Sequence, residues 1–364
     1  MGGKALKHVA TRRYARDEYF TLWEQFSTAF ARRFPGVRFA LVPACRAKKS
    51  FGDMDVVVAG DQMPDNWHEL VNELFDVRDS SFTMNKASLA KVNEVGYTAD
   101  MLINRPYSFN LDELQVDLCP VPTDEFDFTL TYMSYGDLGN LMGTVYRRLG
   151  ARYGMQGLMV EPVTPAGERL VNHQVLLTRD HGRALKLAGY DPERFARGFE
   201  DDEAVYRYVA SSPFFSPAYY LEDSTDTHKK RRRLADRPAF ARFQAWCEDM
   251  RSTFLPPLTL SPEEARLRLF ALFPGAEQAC RDVHNRLAEA QRQKKRFSGR
   301  LLQEETGVSG PELGKVAEFM KSEFSSTEAF QAWLEQQNDA QLRCWVRARY
   351  ETYRRRAGSL NEYA

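Results

Sequence analysis

Two carboxylates sit two residues apart at the mouth of an apolar run, Asp53 and Asp55 in Gly52-Asp53-Met54-Asp55-Val56-Val57-Val58. Residues i and i+2 of a strand project from one face, so both acids point into the same small volume. Like charges that close repel by roughly a few kcal/mol at an effective dielectric near 20, and a hard divalent cation, Mg²⁺ or Mn²⁺ in its place, relieves the repulsion most directly. A third acid, Asp117, stands on a second apolar run, Leu114 to Leu118. Three carboxylates on adjacent strands can hold two Mg²⁺ ions, one lowering the pKa of an attacking hydroxyl and the other bridging phosphates and stabilising a leaving pyrophosphate. The chemistry such a set serves is nucleotidyl transfer.

The elements that must position these acids follow from periodicity. Residues 16 to 33 carry Tyr19, Phe20, Leu22, Trp23, Phe26 and Phe30 at helical spacing, and Phe34-Pro35-Gly36 ends the helix. A strand is predicted over Val37 to Val42, then a basic segment Arg46-Ala47-Lys48-Lys49, a strand over Met54 to Val58 and a helix around Asp65 to Leu74. Further strands are predicted near Phe82 and Val92, and at Leu114 to Leu118 with an end at Cys119-Pro120. A helix from Asp137 to Gly150 precedes strands at Gln156 to Glu161 and Gln174 to Leu177 and a short helix at Gly182 to Ala188. Beyond about residue 195 every strong periodic segment reads as helix. The expected fold is α+β: a mixed sheet flanked by helices, followed by an all-helical C-terminal region. The expected division is an N-terminal helix over 1–36, a catalytic core over 37–195 and a helical nucleic-acid-binding region over 196–364, with a candidate internal boundary near 255.

Composition narrows the function classes. The 364 residues are 43% hydrophobic and 27% charged, ordinary for a soluble protein of two or three domains, and disorder is not indicated. Lys plus Arg equals Asp plus Glu at 50 each, so affinity for nucleic acid must come from local patches. Five dispersed cysteines form no C-x-x-C pair, which argues against a zinc or redox motif and fits a reducing cytoplasm. No apolar stretch approaches a membrane span, and no secretory leader is read at the N-terminus.

Against this background Gly52-Asp53-Met54-Asp55-Val56 resembles the metal-binding strand of the polymerase β superfamily of nucleotidyltransferases, family X DNA polymerases in particular. Val116-Asp117-Leu118 resembles the strand bearing that family's third carboxylate. Tyr132-Met133-Ser134-Tyr135-Gly136-Asp137-Leu138-Gly139-Asn140 is similar to its nucleotide-binding turn and helix, and Leu177-Thr178-Arg179-Asp180 through Tyr190 to its closing segment. The resemblance covers about residues 37 to 195. It implies a polymerase β-like palm, with Asp53 and Asp55 binding both ions and Asp117 the ion that activates the 3′ hydroxyl. It further implies Tyr132 beside the sugar, Asp137 beside the base, and Asn140 hydrogen-bonded to the incoming base. Val42-Pro43 stands where the family cradles the triphosphate with Gly-Ser, and a proline donates no backbone N–H. Arg46 stands where the family has a phosphate-binding arginine, so Arg46, Lys48, Lys49 and Ser50, next to Gly52, are expected to carry the triphosphate. Tyr135 replaces a family glycine beside the sugar.

The helical half contains the basic run Lys229, Lys230, Arg231, Arg232 and Arg233, and a second cluster, Lys294, Lys295 and Arg296, both candidates for phosphate contacts. The aromatics Phe214, Phe215, Tyr219 and Tyr220 are expected in the core. The segments Phe297 to Leu302 and Thr306 to Val316 resemble a helix-turn element near the end of CCA-adding enzymes and poly(A) polymerases. The reading that follows is a two-metal nucleotidyltransferase adding nucleotides from a nucleoside triphosphate to a polynucleotide 3′ end, with RNA, and tRNA within that class, preferred as acceptor. The alternatives are a small repair-type DNA polymerase and, of another class, a catalytically silent nucleic-acid-binding protein.

Overall fold

Helix α1 (Arg16–Arg33) buries Tyr19, Leu22, Phe26 and Phe30, whose spacing of three and four residues builds one stripe down the helix. Asp17 and Glu18 in its first turn and Arg32 and Arg33 in its last complement the helix dipole. Helix α2 (Trp67–Phe75) adds Trp67 and Val71 to the same layer. The computed structural model describes residues 5–83, 99–164, 170, 172–221 and 238–361 of the chain.

Both helices pack on one face of a five-stranded mixed sheet. Its strands are β2 (Phe39–Leu41), β4 (Asp53–Ala59), β5 (Ser80–Phe82), β6 (Tyr107–Leu111) and β7 (Leu114–Val121), in the order β2-β4-β7-β6-β5. Only β4 and β7 are parallel neighbours; the other pairings are antiparallel. A two-residue pair joins β1 (Tyr14–Ala15) to β3 (Ser50–Phe51), and β8 (Ala151–Gly154), β9 (Gly157–Val160) and β10 (Val175–Thr178) form a three-stranded antiparallel sheet.

Alternation along β4 and β7 separates two faces. Met54, Val56, Val58, Leu114, Val116 and Leu118 belong to the core beneath α1 and α2. On the opposite face Val57, Ala59 and Val121 meet Phe126 of helix α3 (Phe126–Met133). The acids share that second face, at the end where apolar cover stops. Strand β7 runs past the predicted stop at Cys119-Pro120 to Val121. The N–H and C=O of a strand residue point to the same side, and the Pro120 carbonyl accepts the Asn104 N–H at 2.7 Å, beyond the end of β6. The missing proline N–H therefore faces away from β4 and costs no ladder bond.

Most predicted elements appear within a few residues of their expected ends. The strand predicted near Val92 lies outside the described residues. Helix α3 is not among the predicted elements, because Phe126, Phe128 and Leu130 alternate with polar residues and give no helical period. Helix α4 (Leu138–Arg148) follows after Asp137 and is buried through Leu138, Leu141, Met142 and Val145.

The chain divides into two units, Met1–Glu277 and Gln278–Ala364. In the first, Phe214, Phe215 and Tyr220 are buried core residues, as expected. The second unit has its own core of Phe297, Leu301, Leu302, Val316, Met320, Phe330, Leu334, Leu342 and Val346. Gly310 at φ 67° precedes Pro311 at the start of the helix Pro311–Lys321, the helix entry that its local sequence predicts. No described helix is long and apolar enough to cross a membrane.

Phe30 is fully buried between α1 and the sheet. Phe30→Ala is expected to destabilise the first unit by about 3–5 kcal/mol, read as a lowered urea midpoint.

Candidate metal centre

Parallel pairing sets Asp55 opposite Asp117 and Asp53 opposite Gln115. Four side chains therefore form a two-by-two array on one face of two neighbouring strands, three of them acids. Each acid offers an oxygen, and those oxygens all lie within 4.8 Å of one another. Each is partly buried. The array fits a divalent ion because its donors are hard oxygens and its charge is not neutralised by any ion pair among the described residues.

The electrostatics register the crowding. Burial first, then the Asp53 charge and the Asp117 charge, push the Asp55 carboxyl from its usual 3.8 up to about 8, with Lys48 pulling the other way. Burial pushes Asp117 up to about 6, opposed by hydrogen bonds from Ser108 and Gln115 and assisted by Asp53. Gln115 Nε2 donates to both oxygens of Asp117, each at 2.9 Å, and Ser108 faces Asp117 across the β6–β7 ladder. Neither partner was singled out from the sequence. Gln115 at i−2 from an acid on a strand is the one signal that pointed to a shared face.

The basic loop lies beside the array. Lys48 and Lys49 are exposed, and Lys48 Nζ lies 4.5 Å from the centre of the Phe51 ring. Ser50 Oγ accepts from Arg13 at 3.1 Å, and Arg16 donates to the Lys48 carbonyl at 3.3 Å. Arg13 and Arg16 thus bring two further cations to this loop, from a part of the chain that local motifs could not link to it. Gly52 is buried between β3 and β4. Arg46 donates to Glu200 Oε2 at 2.8 Å and to the Arg197 carbonyl at 3.0 Å, and its backbone N–H bonds the Phe199 carbonyl. Its guanidinium is therefore engaged with the segment 197–200.

The turn before α4 connects to the same loop. Tyr135 N–H bonds the Pro43 carbonyl at 2.8 Å, and Tyr135 adopts φ 60°. That left-handed conformation costs a non-glycine residue about 1–2 kcal/mol, and the edge of the Tyr135 ring on Phe199, centroids 4.9 Å apart, helps to hold it. Tyr132 Oη donates to Asn140 Oδ1 at 3.1 Å, while Asn140 Nδ2 donates to Asp137 Oδ1 at 3.3 Å. The three residues singled out from the sequence are thus brought into one cluster. Tyr132 and Asn140 also line a cavity of about 870 Å³, together with Cys119, Arg147, Arg152 and Gln156. Cys119 follows Asp117 on the same face of β7, so the cavity adjoins the acid array.

The other candidates fall elsewhere. Lys229, Lys230, Arg231, Arg232 and Arg233 lie outside the described residues. Lys294 and Lys295 are exposed in the second unit, whereas Arg296 donates to the carbonyls of Leu334, at 2.9 Å, and Gln337. Arg296 therefore satisfies the end of the helix Thr327–Gln336. His181 Nε2 meets Tyr153 Oη at 2.9 Å, and burial lowers its pKa to about 4. No protein-family model matches the chain, and no curated protein matches it.

Three expectations follow. The Asp55 value in the fold lies above that of the unfolded chain, so the folded protein keeps this proton while the unfolded chain loses it. Without divalent ions, stability should therefore fall from about pH 4 to about pH 8. Asp55→Asn should raise metal-free stability at pH 8 by about 1–3 kcal/mol and abolish stabilisation by Mg²⁺, both measured by thermal melting. A Cβ at Gly139 would lie 2.8 Å from Tyr132 Cδ2. Gly139→Ala, which in an open helix gains up to about 1 kcal/mol, should here lose about 1–3 kcal/mol, measured by urea unfolding.

Proposed function

We propose that this protein is a two-metal nucleotidyltransferase of the polymerase β type, adding nucleotides from a nucleoside triphosphate to a polynucleotide 3′ end. The observation that carries the reading is the convergence of Asp53, Asp55 and Asp117 across a parallel strand pair. Two Mg²⁺ ions bound there would supply Lewis-acid activation of the attacking hydroxyl and neutralise the leaving pyrophosphate. Asp53 and Asp55 would hold both ions, and Asp117 would join them at the one that activates the 3′ hydroxyl. Lys48 and Lys49 orient the triphosphate, joined by Arg46 once it exchanges Glu200 for phosphate. Ser50 and Gly52 shape the strand entry beneath it.

The cavity beside the array takes the nucleoside. Its lining supports this, since Tyr132 and Asn140 converge there with a fixed amide orientation. Tyr132 borders the sugar, Asn140 reads the base edge and Asp137 holds the Asn140 amide. Lys294 and Lys295, with the run Lys229 to Arg233, would contact acceptor phosphates. RNA, tRNA in particular, is favoured as acceptor by the resemblance of Phe297 to Leu302 and Thr306 to Val316 to the helix-turn element of CCA-adding enzymes and poly(A) polymerases. The close match of Gly52-Asp53-Met54-Asp55-Val56 to family X strands favours DNA and a repair-type polymerase as the second reading. The Arg46–Glu200 pair and Pro43 favour the third, a nucleic-acid-binding protein without catalysis.

The test offers labelled tRNA lacking its 3′ end, single-stranded RNA and gapped DNA, each with NTPs or dNTPs and Mg²⁺. Wild-type protein is expected to extend the tRNA, and Asp117→Asn to lower the rate by about a hundredfold or more. Extension of gapped DNA alone selects the second reading. Salt-sensitive binding with no extension selects the third.

A further inference from the structure

The fourth corner of the two-by-two array is Gln115, and its surroundings assign it one orientation. It is 4% exposed. Its Oε1 accepts the Ala5 N–H at 3.0 Å, which turns Nε2 toward Asp117, where it reaches both carboxylate oxygens at 2.9 Å. The flipped amide would set a carbonyl oxygen against a carboxylate and leave the Ala5 N–H facing an NH₂ group.

Ala5 is itself held independently of Gln115. The N–H groups of Lys7, His8 and Val9 converge on Asp79 Oδ2 at 3.0, 2.8 and 3.3 Å. Ser81 Oγ donates to the Ala5 carbonyl at 3.3 Å, and Leu6 is buried. The N-terminal segment 5–9 is thus a strap tied to the edge of the sheet, with one amide aimed at the residue that grips the third acid.

We propose that Gln115, locked by this strap, is the positioning residue for Asp117. It fixes the orientation of the Asp117 carboxylate, from which Asp117 would ligate one of the two ions. An amide suits the Gln115 corner because a fourth acid would add repulsion and an apolar side chain would leave Asp117 held by Ser108 alone. This inference rests on the two-metal reading above.

The test titrates Mn²⁺ into the purified full-length protein, following free ion by electron paramagnetic resonance, alongside steady-state nucleotide addition. Wild type is expected to bind two ions. Gln115→Met, close in shape and without hydrogen-bonding groups, should weaken one site by about 10–100-fold and leave the other unchanged. Its kcat should fall by a similar factor with KM for the triphosphate within about twofold of wild type, since outer-shell partners act through the ligand they orient. Gln115→Glu should keep Mn²⁺ affinity, through its added charge, and still lose kcat, separating orientation from charge. Ala5→Pro removes the N–H on Oε1 without touching Gln115 and should produce the same pattern at about three- to tenfold, so the test survives a misfolded Gln115 variant. Unchanged affinity at both sites with unchanged kcat in folded Gln115→Met, or in Ala5→Pro where Gln115→Met does not fold, overturns the inference. Two-site binding without extension of any acceptor overturns the nucleotidyl-transfer reading, and the titration then still decides the role of Gln115.

Discussion

Mutual repulsion among three carboxylates whose oxygens lie within 4.8 Å is the constraint on which the rest of the first unit depends. Such an arrangement does not hold itself together. It persists because the backbone beneath it is over-determined: β4 and β7 are paired along seven residues, and their opposite face is sealed under the aromatic layer of α1 and α2. The core supplies the stabilisation that the acids withhold. The raised Asp55 pKa expresses that conflict, since burial and two neighbouring charges all favour the protonated acid in the absence of metal. An ion would convert the least favourable part of the fold into a binding site.

Around this centre the structure relies on strain and close approach. Tyr135 occupies a left-handed conformation, tied to Pro43 by a backbone bond and to Phe195 and Phe199 by its ring. Through that turn the basic loop, the entry to α4 and the segment 197–200 form one connected body. Arg46 belongs to it through Glu200 and the Arg197 carbonyl. Gly139 lies directly against Tyr132, which explains the glycine at this position of α4.

Local chemistry was legible in the sequence where it depended on local spacing. The i, i+2 acids, the stripe of α1, the strand at Met54 to Val58 and the helix entry at Gly310-Pro311 all follow from periodicity and backbone preference. Local signals are ambiguous where they fit two structures. Pro120 looked like a strand end, but a strand tolerates a proline whose nitrogen faces away from its neighbour. Helix α3 shows no helical stripe in the sequence, because its apolar residues alternate over its first turns. The short β1 and β3 have too few residues to carry any period.

The sequence by itself determined the identity of the acids, the strands that carry them and the α+β character of the chain, because side-chain direction on a strand or helix is a property of neighbouring residues. Only the tertiary structure decided the partners. Asp117 meets Asp55 because β7 lies parallel beside β4, Gln115 is locked by Ala5 from 110 residues away, and Arg46 is engaged by Glu200 from 154 residues away. Such contacts are set by which strands become neighbours and by which buried polar groups must find a partner, and no local pattern encodes either.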